Sequence, residues 1–281
     1  MQVIKEIQTL RQWIGPAGPQ DLGLVPTMGY LHEGHISLVK RALSENRRVA
    51  VSIFVNPAQF NDPADLEKYP RNEAGDLELL RQAGVGAVFL PSPEVIYPPE
   101  FNALVRVERL TAPLEGASRP GHFDGVTTVV AKLFNLFTPC RAYFGEKDAQ
   151  QLLVIQKMVA DLNFPVKVVA CPTQREADGL AMSSRNARLT PDQRAEAPLL
   201  YRALLHAEKR VAEGLKETPQ LLKEMTQIIE SGPLAVVDYI SFNDPKTLEP
   251  VEQINGEVLV SLAVFFGALR LIDNIRLQGG A

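Results

Sequence analysis

From residue 22 to about residue 171 the chain alternates short apolar runs with longer stretches whose apolar residues recur at helical spacing. The runs Leu22 to Pro26, Val49 to Val55, Ala87 to Leu90, Arg141 to Phe144 and Val166 to Cys171 predict strands. The stretches between them predict helices over 36–47, 73–83, 126–137 and 148–162. Ahead of the first run, Val3, Ile7, Leu10 and Ile14 share one helical face and predict an opening amphipathic helix. Strands that are apolar almost throughout must be buried on both faces, and helices between them supply the cover. The expected fold is therefore α/β, a Rossmann-like doubly wound parallel sheet.

Beyond Arg188 the pattern changes. Thr190-Pro191-x-Gln193 is a helix start, with a capping Thr, Pro at the first helical position and Gln at the third. Helices are predicted over 191–213 and 219–231, and then strands over 236–242, 258–264 and 268–275. Helices followed by consecutive strands suit a smaller α+β domain. The expected domains are residues 1–186 and a C-terminal lid domain, 187–281, with the change falling between Arg185 and Thr190.

Composition narrows the classes of function. A hydrophobic content of 46% with 22% charged residues is that of a globular chain. The net charge of −4 gives no general attraction to nucleic acid or to an anionic membrane. Cys140 and Cys171 form no C-x-x-C motif, lie beside predicted strands, and read as small core residues of a reducing cytoplasm. Met1 to Ile7 has no signal-peptide core, and the apolar stretch Val258 to Leu269 is short of the roughly 18 residues a spanning helix needs. A soluble cytoplasmic protein is expected.

The chemistry concentrates in Val25-Pro26-Thr27-Met28-Gly29-Tyr30-Leu31-His32-Glu33-Gly34-His35, between the first predicted strand and the next helix. That junction is where open α/β sheets bind ligands, and a helix N-terminus favours phosphate. Gly29 and Gly34 allow a sharp turn and a close backbone approach. Two imidazoles three positions apart can hydrogen-bond one triphosphate and offset charge that builds on phosphorus. A zinc-protease motif would need histidine where Ile36 stands, and the chain has no P-loop and no G-x-G-x-x-G. A second stretch, Met182-Ser183-Ser184-Arg185-Asn186, offers hydroxyls and a guanidinium that suit phosphate oxygens. By itself it reads as a solvated turn. Together with the histidine pair it marks a HIGH/KMSKS-type nucleotidyl transferase.

Six segments in order carry a closer resemblance: Pro26 to Gly29, His32 to His35, Phe54 to Phe60, Arg119 to Phe123, Phe144 to Asp148 with Gln150-Gln151, and Met182 to Asn186. Over nearly its whole length the chain resembles the pantoate–β-alanine ligase (pantothenate synthetase) family. Tyr30, Ala58, Asp124 and Ala149 depart from the family pattern. The resemblance implies ATP-dependent condensation of pantoate with β-alanine through a pantoyl adenylate, with Mg²⁺ on the phosphates, and a homodimer; no structural metal site is apparent in the sequence.

It also implies roles. His32 and His35 contact the ATP phosphates, with His35 the stronger contributor to the transition state. Pro26, Thr27, Met28 and Gly29 line the nucleotide, and Met28 also faces pantoate. Gln59 and Gln151 hold pantoate. Lys147 bridges phosphate and carboxylate. Asp148 takes a ribose hydroxyl, supports the metal shell, or caps the following helix with Gln151. Gly145 leaves room for the nucleotide, while Met182, Ser183, Ser184 and Arg185 close over the phosphates. His122 either lines the site or supports the Arg119 loop, and His206 reads as a surface residue.

Two rivals stand beside this reading. One is another small-molecule nucleotidyl transferase of the superfamily, although a phosphate acceptor would call for cations where Gln59 and Gln151 stand. A tRNA synthetase would call for a longer, less acidic chain. The other is a catalytically silent nucleotide-binding protein, which the intact His32, His35, Lys147 and Ser183-Ser184-Arg185 oppose.

Overall fold

A computed structural model describes residues 1–15 and 21–279. The chain divides into two compact units, residues 1–146 with 150–172, and residues 147–149 with 173–281. The change of unit falls after Pro172, earlier than the expected 186/187. The reason is local: Arg175 pairs with Ala181 in an antiparallel bridge, and Arg175 ties that stem to Asp273. That stem is therefore tied to the C-terminal sheet.

The first unit contains β1 (Gln2–Ile4), α1 (Ile7–Ile14), β2 (Leu22–Thr27), α2 (Glu33–Glu45) and β3 (Arg48–Ile53), followed by α3 (Pro63–Glu67), α4 (Glu73–Ala83) and β4 (Ala87–Phe89). Short helices α5 (Pro93–Ile96) and α6 (Glu115–Ser118) precede α7 (His122–Phe137), β5 (Arg141–Gly145), α8 (Ala149–Asp161) and β6 (Lys167–Cys171). The six strands form a parallel sheet in the order β1-β4-β3-β2-β5-β6. Leu22, Leu24, Val25, Val51 and Val88 are all but inaccessible to solvent. Full burial of such a side chain stabilises by about 1.5–3 kcal/mol, so the apolar runs fix the centre of the sheet.

Two expectations fail here. Val3 lies on an edge strand paired with β4, so the first helix begins only at Ile7. Cys140 is exposed, whereas Cys171 is buried and its thiol is pushed up by that burial.

In the second unit α9 (Pro191–Glu196) leads into α10 (Leu199–Ala212) and α11 (Thr218–Ile229), which pack on an antiparallel sheet of β7 (Ala235–Asn243), β8 (Glu257–Phe266) and β9 (Leu269–Gln278). The capping box of Thr190 and Gln193 forms as expected. The single helix expected over 191–213 is broken, because Pro198 offers no amide to continue it. Among the described residues no helix is long and apolar enough to cross a membrane.

Candidate active site

The strand order reverses between β2 and β5: the chain moves outward from β2 to β3 in one direction and from β5 to β6 in the other. Ligands of doubly wound sheets sit at such a switch point, beyond the carboxyl ends of the strands. Two of the sequence motifs leave from there, Thr27 to His35 after β2 and Gly145-Glu146 at the end of β5.

The turn after β2 is framed by buried groups. The Thr27 hydroxyl donates to the Ser52 carbonyl at 2.8 Å and accepts from the Gly29 amide at 3.3 Å. Gly29 has φ +83°, and a Cβ there would lie 3.0 Å from Ile53 and 3.1 Å from Asp76, so conformation and space both require glycine. Tyr30 follows with φ +50°, a conformation that costs a non-glycine residue energy. The buried carboxylate of Asp76, on α4, accepts from the Tyr30 and Leu31 amides, both at 2.7 Å. Burial pushes the Asp76 carboxyl up, against the pull of those two amides. The expected turning role of Gly34 is not seen, because Gly34 lies within the first turn of α2.

His32 caps α2, and His35 sits in its first turn. The Nδ1 of His32 accepts from the Gly34 amide at 3.2 Å, and the Nδ1 of His35 accepts from the His32 amide at 3.3 Å. An Nδ1 that accepts a backbone N–H carries no proton of its own, so each neutral ring presents its proton at Nε2. The ring centroids are 4.1 Å apart. The two imidazoles thus form a paired donor at a helix N-terminus, an arrangement built for an anion.

Beside this turn lies the one-turn helix Pro57–Gln59, after β3. Gln59 is buried; its Nε2 meets the Met28 sulfur at 3.1 Å and its Oε1 accepts from Asn56 at 3.1 Å. Asn56 also donates to the Gly125 carbonyl and accepts from the Tyr97 hydroxyl at 2.8 Å. A Cβ on Gly125 would come within 2.3 Å of the Ala58 carbonyl, so only glycine lets α7 approach this turn. His122 is buried and donates through Nδ1 to the Gln59 carbonyl at 2.8 Å, a bond Arg119 shares at 3.0 Å. His122 also lies 3.4 Å from Arg119 through Nε2, so its contacts fit the supporting reading and extend it to the Gln59 turn. Gln150 is likewise structural, fastening Leu110, Pro113 and Glu115. Gln151 is half-buried on the first turn of α8. Pro26 and Met28 are partly exposed at the end of β2. Among the described residues a Cβ on Gly145 would meet nothing within 4 Å.

The remaining candidates belong to the second unit. Lys147 is half-buried and Asp148 exposed, within the turn Glu146–Asp148, and Asn274 donates to the Lys147 carbonyl at 2.8 Å. Met182 donates its amide to the Gln174 carbonyl. The Ser183 hydroxyl caps the short helix Ser184–Arg188 through the Arg185 amide, and Ser184 is buried. Asn186 donates to Glu176, and Arg194 pairs with Glu176 and Asp178. His206 is half-buried and pairs with Glu224, which that bond, together with Arg210 and Gln220, holds down at about 2. Among the described residues no group of three or more His, Cys, Asp or Glu is arranged to hold a metal. Of the departures from the family pattern, Tyr30 and Ala58 enter these contacts through their backbone, whereas Asp124 pairs with Arg106 and Ala149 is buried at the start of α8.

Sequence reasoning misses Asp76, Asn56, Tyr97 and Asn274. Asn56 lies within a segment of the resemblance that implies no role for it, and the other three carry no motif.

Fold and turn together define a doubly wound α/β protein with an anion-competent switch point. Comparison with known proteins narrows this. The pattern of the family described as Pantoate-beta-alanine ligase matches residues 2–276. The chain is 50% identical over 280 residues to the pantothenate synthetase of Moorella thermoacetica, covering 99% of each. The crystal structure of pantothenate synthetase from Thermus thermophilus superposes with a TM-score of 0.94 at 48% identity, covering 98% of this chain and 99% of that one. A pantoate-beta-alanine ligase from Francisella tularensis, complexed with beta-gamma ATP and beta-alanine, gives 0.83 at 38% identity, covering 98% and 97%. The chain belongs to the pantoate–β-alanine ligase family and is an enzyme of the ligase class.

Proposed function

We propose that the protein joins pantoate to β-alanine in two steps at the expense of ATP. In the first, a pantoate carboxylate oxygen attacks the α-phosphorus, the bond to the β-phosphate breaks, and pyrophosphate leaves. In the second, the β-alanine amine attacks the carbonyl carbon of pantoyl adenylate. The carbon–oxygen bond breaks, AMP leaves, and the amine proton passes to solvent. The observation that carries this reading is the His32–His35 pair at the N-terminus of α2, two imidazoles 4.1 Å apart whose Nδ1 atoms each accept a backbone N–H, which leaves Nε2 to donate. Donors held in place beforehand stabilise charge on phosphorus without reorganising during reaction.

In this reading Pro26, Thr27, Met28 and Gly29 line the nucleotide, and His32 and His35 donate to its phosphates. Gln59, steered by Asn56 and set against Met28, holds pantoate, and Gln151 assists from α8. Lys147 neutralises the repulsion between triphosphate and carboxylate. Gly145 leaves space for the nucleotide, and Met182, Ser183, Ser184 and Arg185 take phosphate oxygens as the lid. Mg²⁺ that arrives on ATP needs few protein ligands of its own. Asp148 is the residue proposed to support its shell, where the ion would offset phosphate charge. A homodimer in the cytoplasm, acting on small molecules and not on nucleic acid, completes the proposal.

The test is ATP–pyrophosphate exchange with Mg²⁺ and pantoate in the absence of β-alanine. Exchange that depends on pantoate is the expected result. Absence of exchange, in a protein that still binds ATP, would remove the adenylate step.

A further inference from the structure

We infer that Asn274 is a positioning residue for Lys147, an inference that rests on the role proposed above for that lysine. Asn274 lies on β9 opposite Ser261 of β8, and its side-chain amide donates to the main-chain carbonyl of Lys147 at 2.8 Å. Lys147 sits in the middle of the single turn Glu146–Asp148. That turn joins β5 to α8 without a gap, and the Asn274 bond holds its middle carbonyl from the side. A lysine side chain is long and rotatable, so where its ammonium can reach depends first on where the backbone starts it. Fixing the carbonyl fixes that start.

Asn274 is itself held on two sides. Its amide N–H donates to Asp273 Oδ1 at 2.8 Å, and its carbonyl lies 3.5 Å from an Arg175 nitrogen. The Asp273 side chain is 1% exposed and receives both terminal nitrogens of Arg175, at 2.6 and 3.0 Å. Arg175 lies 3.8 Å over the Tyr201 ring and also donates to the Gly179 carbonyl. The same residue bridges to Ala181, one step before Met182-Ser183. A single buried ion pair thus serves two candidate elements at once: it seats the stem of the serine–arginine loop and, through Asn274, the Lys147 turn. Buried ion pairs seldom stabilise more than apolar residues of the same shape would. What this one supplies is direction, which a positioning device requires.

The test compares Asn274→Ala, Asn274→Leu, Lys147→Ala and the Asn274→Ala/Lys147→Ala double variant. Single-turnover pyrophosphate release reports adenylation. AMP release on adding β-alanine to preformed adenylate reports the second step, and thermal unfolding reports folding. Asn274→Leu keeps the bulk and loses the donor, so it replaces the alanine variant should that one fold poorly. The expected result is adenylation slowed about tenfold in both Asn274 variants, with the β-alanine step within about twofold of wild type, as for a misplaced group. The double variant should be no slower than Lys147→Ala, because residues acting through one another are not additive. Slow Lys147→Ala with full-rate Asn274 variants would overturn the inference and leave the lysine's role intact. A double variant that loses the two factors multiplied would overturn it in the same way. Full-rate Lys147→Ala would remove the lysine's role and the inference with it.

Discussion

In the first unit the histidine turn hangs on backbone groups and buried side chains: Asp76 takes two amides at 2.7 Å, Thr27 clasps Ser52 and Gly29, and each imidazole receives an N–H from its own helix end. In the second unit the serine–arginine loop hangs on charge. Arg175 meets Asp273, and Arg194, about a third exposed, meets Glu176 and Asp178. Arg194 accordingly holds the Asp178 carboxyl below its ordinary range. Partly exposed pairs of that kind contribute little individually and weaken with salt, whereas short bonds to buried amides have no alternative partner when one is lost. The histidine turn is thus fixed by hydrogen bonds to the backbone, whereas the serine–arginine loop is held by one buried ion pair and two partly exposed ones.

The sharpest way to break the comparison is at the donor itself. His35→Ala removes one Nε2–H and the ring that accepts the His32 amide. Adenylate formation should fall by roughly two or more orders of magnitude, the usual cost of deleting a preorganised donor. Single-turnover pyrophosphate release measures it, and a near-normal rate would take His35 out of the mechanism.

A step down in size, Asp76→Asn tests the frame and leaves the donor in place. The amide can accept from one of the Tyr30 and Leu31 N–H groups but must turn its own N–H₂ toward the other. One buried donor left unpaired should lower stability by about 1–3 kcal/mol in denaturant unfolding. Displacement of the histidines should slow adenylation about ten- to a hundredfold. Wild-type stability together with a wild-type rate would show that the turn holds itself without Asp76.

How much of this can be read from the chain differs between the same two regions. The strands of the first sheet are legible because burial on both faces leaves unbroken apolar runs, and the histidine pair stands out because it follows one of them. Residues 2–4 escape because three residues of edge strand cannot be told from the start of a helix when Val3 falls in phase with Ile7. The Pro198 break is in the sequence but is outweighed by apolar periodicity on both sides of it. Asp76 looks like any acidic residue in the first turn of a helix, and only the fold brings it to Tyr30. Asn274 meets Lys147 across 127 residues, a separation over which a single sequence carries no pairing signal.

The smallest expected effect separates the two neighbouring parts of the first unit, the phosphate-facing turn and the Gln59 turn. Tyr97→Phe deletes one hydrogen bond, from the phenol to Asn56, and so slackens the residue that steers Gln59. A single bond of this kind is worth about 0.5–1.5 kcal/mol, which predicts roughly three- to tenfold weaker pantoate binding by calorimetry. ATP affinity should not change. Burial pushes the Tyr97 hydroxyl up to about 12. Its neutral, donating form is therefore favoured in the fold, and that contribution is complete below the ordinary tyrosine value of about 10 and lost as pH rises through about 12. The difference between wild type and Tyr97→Phe should accordingly be flat from neutral pH to about 10. A difference that disappears by about pH 9 would mean that the phenol ionises early and is not held as a buried donor. A loss of ATP affinity in place of pantoate affinity would move Gln59 and its supports to the nucleotide side.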